Sequence, residues 1–495
     1  MKLLFKGHDH KYAIEQILLT LFPEERPEYS DEAEGNRTEL VLHKGDKYYT
    51  ALCKLNFNNE EYSGIARISA ESADELDRNS KEAYVLQRAF YKAYLKTTDV
   101  KPEWGSISGV IPTKVYCKEL ENNNYNYEKT KSSFIKMYDV SNDRIKLLSH
   151  TAEYSVNVSH ALSDRDVCLY IGIPFCPTRC SYCSFISSEV KKNTKLISPF
   201  LECLCKEIEY TSKILKNLNL NIASIYVGGG TPTTFDAVQL ETMLKTVEES
   251  FCLNGLKEYT VEAGRPDTIT KEKLQVMKKY GVGRVSVNPQ TMSDSVLEVI
   301  GRKHTAEDIY SALHLVRSVG GFDVNMDLIA GLPTDTVENY KQTIDKVLEI
   351  APENITVHTL SRKKGANLSR SKYAEEDIPD ADTVKSMLDY SNRLLFDSGY
   401  VPYYLYRQKF MTGGLENTGW TIPNHENIYN VCIMEELCSI VALGAGASTK
   451  LIAPGKGRNI RFISAKYPKE YIDSIEDICR NKNKISEFYN EYSIR

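Results

Sequence analysis

The sequence predicts an α/β protein: an open, partial (β/α)6 barrel preceded by an N-terminal α+β extension and followed by a smaller C-terminal domain. Two observations carry the prediction. From about residue 167, short β-branched runs alternate with helix-length amphipathic segments, the pattern of a parallel sheet with right-handed crossovers. Six such units occupy about 200 residues, which suits an open partial barrel better than a closed eight-stranded one.

The predicted strands are Val167–Ile173, Ile222–Val227, Tyr259–Glu262, Arg284–Asn288, Val324–Ile329 and Ile355–Leu360. The helices between them include Leu196–Asn217, Ala237–Phe251, Lys271–Lys279, Ala306–Val319 and Thr336–Ile350. Residues 1–150 read as an accessory domain. Strand-like stretches at Glu39–His43 and Tyr48–Asn56 accompany a long helical pattern from Ala73 to Leu95. A Gly/Pro-punctuated segment, Trp104–Val115, follows, and the polar stretch Asn122–Ser133 reads as a linker or exposed loop. Residues 160–380 form the predicted barrel. A helix near Ala381–Asp397 opens the predicted C-terminal domain, 381–495, with an aromatic-rich segment, Gly399–Phe410, the motif Leu443–Thr449 and a charged helical tail.

With 495 residues, two or three domains are expected. A chain that is 42% hydrophobic and 26% charged can bury a substantial core. The net charge of −5 leaves no basic footprint for nucleic acid. No apolar run approaches the ~20 residues of a membrane span, and the opening MKLLFKGHDHKY lacks the apolar stretch of a signal peptide. The expectation is a cytoplasmic protein with no membrane span and no nucleic-acid partner.

Twelve cysteines are present, and a disulfide framework is not expected for such a chain. Cys53, Cys117, Cys168, Cys252, Cys432, Cys438 and Cys479 are scattered through apolar surroundings and read as small buried hydrophobes. Three others do not fit that reading. In YIGIPFCPTRCSYCSF (Tyr170–Phe185), Cys176, Cys180 and Cys183 directly follow the first predicted strand at x3 and x2 spacing. Thiolates are the standard ligands of iron–sulfur clusters, whereas zinc sites more often use two CxxC pairs. Three ligands on a four-iron cube leave one iron open to chelation. Arg179 inside the loop would temper the cluster's negative charge.

Further motifs fall at predicted strand ends, where chemistry collects in barrels of this kind. YVGGGTPT (Tyr226–Thr233) ends the second strand, and glycine there lets a backbone approach another group closely. Glu262 ends the third.

CxxxCxxC after a first barrel strand is the hallmark of the radical S-adenosylmethionine (SAM) superfamily, and the chain resembles its oxygen-independent coproporphyrinogen III dehydrogenase family over roughly residues 166–450. The segments Gly281–Thr305 and Met326–Thr336 carry the likeness further. The resemblance implies a [4Fe–4S] cluster on Cys176, Cys180 and Cys183, with SAM as second cofactor. Tyr170 then corresponds to the tyrosine beside the SAM sulfonium, the catalytic position. Gly229, Gly230, Thr231, Glu262, Gln290, Arg302 and Asp327 correspond to the residues lining one or two SAM pockets. The implied activity is oxidative decarboxylation of two propionates of coproporphyrinogen III to vinyl groups, giving protoporphyrinogen IX. The implied partners are a tetrapyrrole substrate and an electron donor of flavodoxin or ferredoxin type. Arg265, Arg362, Lys363, Lys364 and Arg407 are candidate partners for substrate carboxylates. Tyr403, Tyr404 and Tyr406 are candidates to stack on the macrocycle or to form ordinary core.

The chain departs from the family's pattern in three places. Ser184 and Phe185 follow Cys183 where a fourth cysteine is expected two residues on, and Gly172 stands in place of a histidine. Asn288–Pro289 replaces a Gly–Val pair before Gln290. The CxxxCxxC-x-Phe form is shared with relatives that resemble haem chaperones and with relatives that open haem anaerobically. A haem-binding or haem-modifying protein is therefore the alternative reading. The N-terminal extension of about 150 residues favours the enzyme.

Overall fold

A computed structural model describes residues 1–29, 35–71, 75–184, 188–361, 377–408, 412–455 and 457–492. It divides into two compact units, 1–149 with 406–416, and 150–405 with 417–495. The region from 381 onward is thus shared: 406–416 groups with the first unit and the remainder with the second.

In the first unit, strands β1 (Lys2–Lys6), β2 (Arg37–Lys44), β3 (Tyr48–Phe57) and β4 (Glu60–Ser69) form a sheet in that order. β1 and β2 are parallel; the other pairs are antiparallel. Alternation along β2 and β3 turns Leu40, Leu42, Ala51, Cys53 and Leu55 to one buried face. Helices α1 (Lys11–Leu21) and α2 (Glu75–Tyr94) cover that face with Ile14, Leu18, Leu86 and Phe90. Helices α3 (Pro112–Asn122) and α4 (Tyr127–Tyr138) follow, and α5 (Asn142–Ala161) leads into the second unit. The stretch 122–133 is therefore not all loop. Asn126 caps α4 by accepting from the Lys129 N–H, and Phe134 buries its inner face, so a polar sequence still forms a helix.

The second unit is built on an eleven-stranded sheet. Its parallel strands are β5 (Asp166–Ile173), β8 (Asn221–Gly229), β9 (Glu258–Glu262), β10 (Arg284–Ser286), β11 (Asp323–Ala330), β12 (Asn354–Thr359) and β15 (Ser439–Gly444). A two-stranded parallel pair, β6 (Phe175–Cys176) and β7 (Ser188–Glu189), lies in the loop after β5. Short α6 (Val190–Asn193) and long α7 (Ile197–Asn217) connect β5 to β8. Helices α8 (Ala237–Ser250), α9 (Lys271–Lys279), α10 (Asp294–Val299) with α11 (Ala306–Val319), and α12 (Val337–Ile350) make the later crossovers. Most begin on a side-chain cap: Asp236, Thr270, Thr305 and Thr336 each accept a backbone N–H of the first turn.

The six predicted strands and their crossovers are thus present, as a partial barrel that does not close. β12 pairs outward with antiparallel β14 (Glu416–Thr421), and β13 (Val401–Arg407) lies beyond it. At the other edge a seventh parallel strand, β15, pairs with β5. SIVALG is buried throughout, the uninterrupted apolar run of a strand covered on both faces. β16 (Ser448–Leu451) and β17 (Ile460–Ile463) extend that edge antiparallel. Helix α13 (Ala381–Asp397) precedes β13, and α14 (Ile428–Glu435) precedes β15.

Candidate metal and cofactor site at the strand ends

The cysteine loop leaves the C-terminal end of β5. Cys180 is buried, while Cys176 and Cys183 are half-buried. The loop is held from below by the glycine run that ends β8. Gly230 N–H donates to the Ile173 carbonyl and Thr231 N–H to the Phe175 carbonyl, each at 2.7 Å. Thr231 Oγ1 reaches Cys176 Sγ at 3.6 Å. A Cβ on Gly230 would stand 2.9 Å from Ile173 O and closer still to Phe175 O. Gly229 has φ +105, and a Cβ on Gly228 would meet the Glu262 carboxyl at 2.9 Å. The glycines are thus required by approach of the chain to itself.

Two buried guanidiniums flank the loop. Arg265 donates to Thr178 Oγ1 at 3.1 Å and lies 4.0 Å from Cys180 Sγ; its Nε pairs with Asp267 at 3.2 Å. Arg302 donates to the Asn288 carbonyl (2.8 Å), the Gly264 carbonyl (3.2 Å) and Tyr182 Oη (3.0 Å). Arg265 Nη2 and Arg302 Nε are buried without a hydrogen-bond partner. Buried cationic N–H groups left over beside three thiols suit an anionic thiolate cluster. His304 is buried with both ring nitrogens unpartnered. Burial, then Arg302 and Arg265, push its pKa down to about 4, so it is neutral at pH 7.

Glu262 ends β9 and accepts from Tyr226 Oη at 2.7 Å. Burial first, opposed by Tyr226 and then reinforced by Asp327, raises its pKa to about 7. Tyr170 and Tyr226 are register partners on β5 and β8 and stack with Tyr429 of α14, with centroids 6.3, 6.1 and 4.6 Å apart. Burial raises the Tyr170 pKa.

Asp327, on β11, is gripped by its own chain. Asn288 Nδ2 donates to Oδ2 at 2.8 Å, Asn325 Nδ2 donates to Oδ1 at 2.9 Å, and Asp327 N–H donates to Asn288 Oδ1 at 3.2 Å. The unusual Asn288 is thus the partner of the expected pocket carboxylate. Gln290 is buried at φ +67, rare for a side-chain-bearing residue, and its backbone bonds the Asp327 carbonyl and the Ile329 N–H.

Around the cysteine loop the structure sets Thr231 beside Cys176, Gly230 against Ile173 and Arg302 against Tyr182, while the sulfurs of Cys176, Cys180 and Cys183 are not gathered within 4.8 Å of one another. Tyr170, Gly229 and Glu262 form a second group, and Gln290 with Asp327 a third. Sequence reasoning missed the roles of Arg265, Tyr182, Tyr226, Asn288 and Tyr429. Only the Tyr170/Tyr226 spacing along adjacent strands carried a signal.

Some candidate substrate contacts are engaged elsewhere. Arg265 belongs to the cysteine loop. Arg407 lies in the first unit, donating to the carbonyls of Ile107 (2.6 Å) and Gly414 (2.9 Å). Tyr403 and Tyr404 are buried and pack edge to face at 4.8 Å, as core. Arg362, Lys363 and Lys364 lie outside the described residues.

A thiol loop at a strand end, with cations beside it and a carboxylate and glycine run on the neighbouring strands, defines an iron–sulfur protein of parallel α/β fold. The family model described as the radical SAM superfamily matches residues 170–347. The oxygen-independent coproporphyrinogen-III oxidase-like protein HemZ of Bacillus subtilis is 36% identical over 420 residues, 83% of each chain. The heme chaperone HemW of Haemophilus influenzae is 28% identical over 61% of this chain and 75% of its own. Among solved structures, the coproporphyrinogen III oxidase HemN of Escherichia coli has a TM-score of 0.53 at 20% identity, covering 66% of this chain and 73% of that one, a likeness of fold. The chain belongs to the radical SAM superfamily, in the family of oxygen-independent coproporphyrinogen III oxidase-like proteins. Its cofactors are those of the superfamily, a [4Fe–4S] cluster and SAM. Among the described residues no helix is long and apolar enough to cross a membrane.

Proposed function

We propose that this protein converts coproporphyrinogen III to protoporphyrinogen IX without oxygen. The carrying observation is the 36% identity, over 83% of both chains, to a relative named as coproporphyrinogen-III oxidase-like. When bound, the cluster and SAM supply a radical that takes a hydrogen atom from the β-carbon of a propionate. Carbon dioxide then leaves, one electron passes to an acceptor, and a vinyl group remains. An electron donor of flavodoxin or ferredoxin type in the cytoplasm completes the reading.

Within it, Cys176, Cys180 and Cys183 hold the iron, and Arg265 and Arg302 offset the negative charge of their thiolates. Glu262, oriented by Tyr226, accepts hydrogen bonds from the SAM amino or ribose groups. The Tyr170–Tyr226–Tyr429 stack fills one wall and excludes water from it. Gly229, Gly230 and Thr231 fix the loop against β8, and Gln290 and Asp327 bound the pocket on the β10–β11 side.

A second reading, haem capture by a chaperone, is favoured by two facts: relatives named heme chaperone match the chain, and the fourth cysteine is missing after Cys183. Anaerobic incubation with SAM, a reductant and coproporphyrinogen III separates the two. Methionine, 5′-deoxyadenosine and a vinyl product are expected. Stable haem capture with no vinyl product would overturn the enzyme reading in favour of the chaperone.

A further inference from the structure

A second group of three cysteines comes together inside the sheet. Cys168 of β5, Cys432 of α14 and Cys438, which immediately precedes β15, have their sulfurs all within 4.8 Å of one another. All three are buried. The Cys168 and Cys438 sulfurs are 3.5 Å apart. The trio is separate from the cysteine loop. Cys168 is the third residue of β5, and the loop begins beyond Ile173, about 16 Å along the strand.

Local structure presets the arrangement. Helix α14 ends at Glu436 in the left-handed region, φ +57. The N–H groups of Glu436 and Leu437 both close on the Cys432 carbonyl, which turns Cys438 back beneath the helix. The parallel pairing of β15 with β5 then brings it to Cys168. On the other side, β8 places Ser224 opposite Cys168, where the ladder register shifts.

A dry thiol cluster has no use for further polar groups, yet two accompany it. Ser224 is fully buried and lies against Cys168 as its register partner. Glu258 is buried at the start of β9, where it accepts from Ile428 N–H at 2.6 Å and Thr260 Oγ1 at 3.1 Å and adds a weaker electrostatic interaction with Cys168.

The sulfur separations suit a metal ion. With Zn–S near 2.3 Å, tetrahedral zinc separates its sulfurs by about 3.8 Å, a span that the observed separations bracket.

We propose that Cys168, Cys432 and Cys438 bind one thiophilic divalent ion of the zinc type, with its fourth position toward Ser224. Binding releases protons from the thiols as three S–metal bonds form, with no change of oxidation state. The ion ties α14 and β15 to the first barrel strand.

The test uses the full chain carrying Cys176→Ala, Cys180→Ala and Cys183→Ala, so that no iron–sulfur cluster competes. Zinc is titrated anaerobically against a chromophoric chelator. One zinc per chain is expected, with three sulfurs at ~2.3 Å by X-ray absorption. Adding Cys432→Ser or Cys438→Ser should weaken binding on the order of 100-fold or more, while Cys203→Ser leaves it unchanged. The absorption spectrum needs no substitution in the trio, so misfolding of the serine variants does not confound it. No zinc uptake, fewer than two sulfurs on the metal, equal affinity in the serine variants, or a Cys168–Cys438 disulfide by mass spectrometry would each overturn the assignment.

Discussion

Replacing Gly230 by Ala tests the claim that the glycine run of β8 is a seat for the cysteine loop. The new Cβ would stand 2.9 Å from Ile173 O and from the Phe175 carbonyl carbon, all backbone atoms that no rotamer change can move. Relief requires the two chains to part, which strains the 2.7 Å bonds Gly230 N–H to Ile173 O and Thr231 N–H to Phe175 O. Overpacking of this kind costs about 1–3 kcal/mol, and each weakened bond about 1 kcal/mol. The expected loss is therefore about 3–5 kcal/mol, located beside Cys176. Gly283→Ala is the control, because nothing lies within 4 Å of its added Cβ and its φ is ordinary. Guanidinium unfolding measures stability, and iron content after anaerobic reconstitution measures the loop. Gly230→Ala should lose both, and Gly283→Ala neither. A Gly230→Ala protein as stable and as iron-loaded as the parent would refute the seat.

Alanine at Cys176, Cys180 or Cys183 should abolish the brown cluster absorbance of reconstituted protein, while Cys203→Ala and Cys205→Ala, on α7, keep it; bleaching by Cys203→Ala would show the ligand set to be wrong. Burial raises the Glu262 pKa to about 7 in the folded chain, from 4.5 for a free glutamate. The folded state therefore holds this proton more tightly, and its contribution is full below about pH 4.5 and lost as pH rises to 7. Glu262→Gln should remove up to about 3 kcal/mol of that pH dependence, and identical profiles for the two proteins would contradict the raised pKa. Asn288→Ala leaves Asp327 without two of its bonds, and a loss of about 1–3 kcal/mol in denaturant unfolding is expected.

The barrel was legible because its signal is local. Six β-branched runs and the intervening amphipathic segments follow from periodicities of 2 and 3.6 residues, and the observed strand limits differ from the expected ones by at most two residues at either end. β15 was harder, since SIVALG stands alone in the C-terminal region and its partner, β5, lies about 270 residues earlier. Arg265 read as a candidate partner for a substrate carboxylate, and only folding put its guanidinium 4.0 Å from Cys180. Asn288 read as a departure from a pattern, and only β10–β11 pairing showed that it holds Asp327.

By itself, the amino-acid order determined the alternation of strands and helices, the thiol triad within one eight-residue span and the family to which it points. These are short-range properties, set by neighbours in the chain. The tertiary structure alone decided which cations face the triad, how the tyrosines stack, and that three cysteines separated by up to 270 residues meet in the core. Such meetings depend on sheet order and register, which join segments with no shared local pattern, so no reading of spacing could have foretold them.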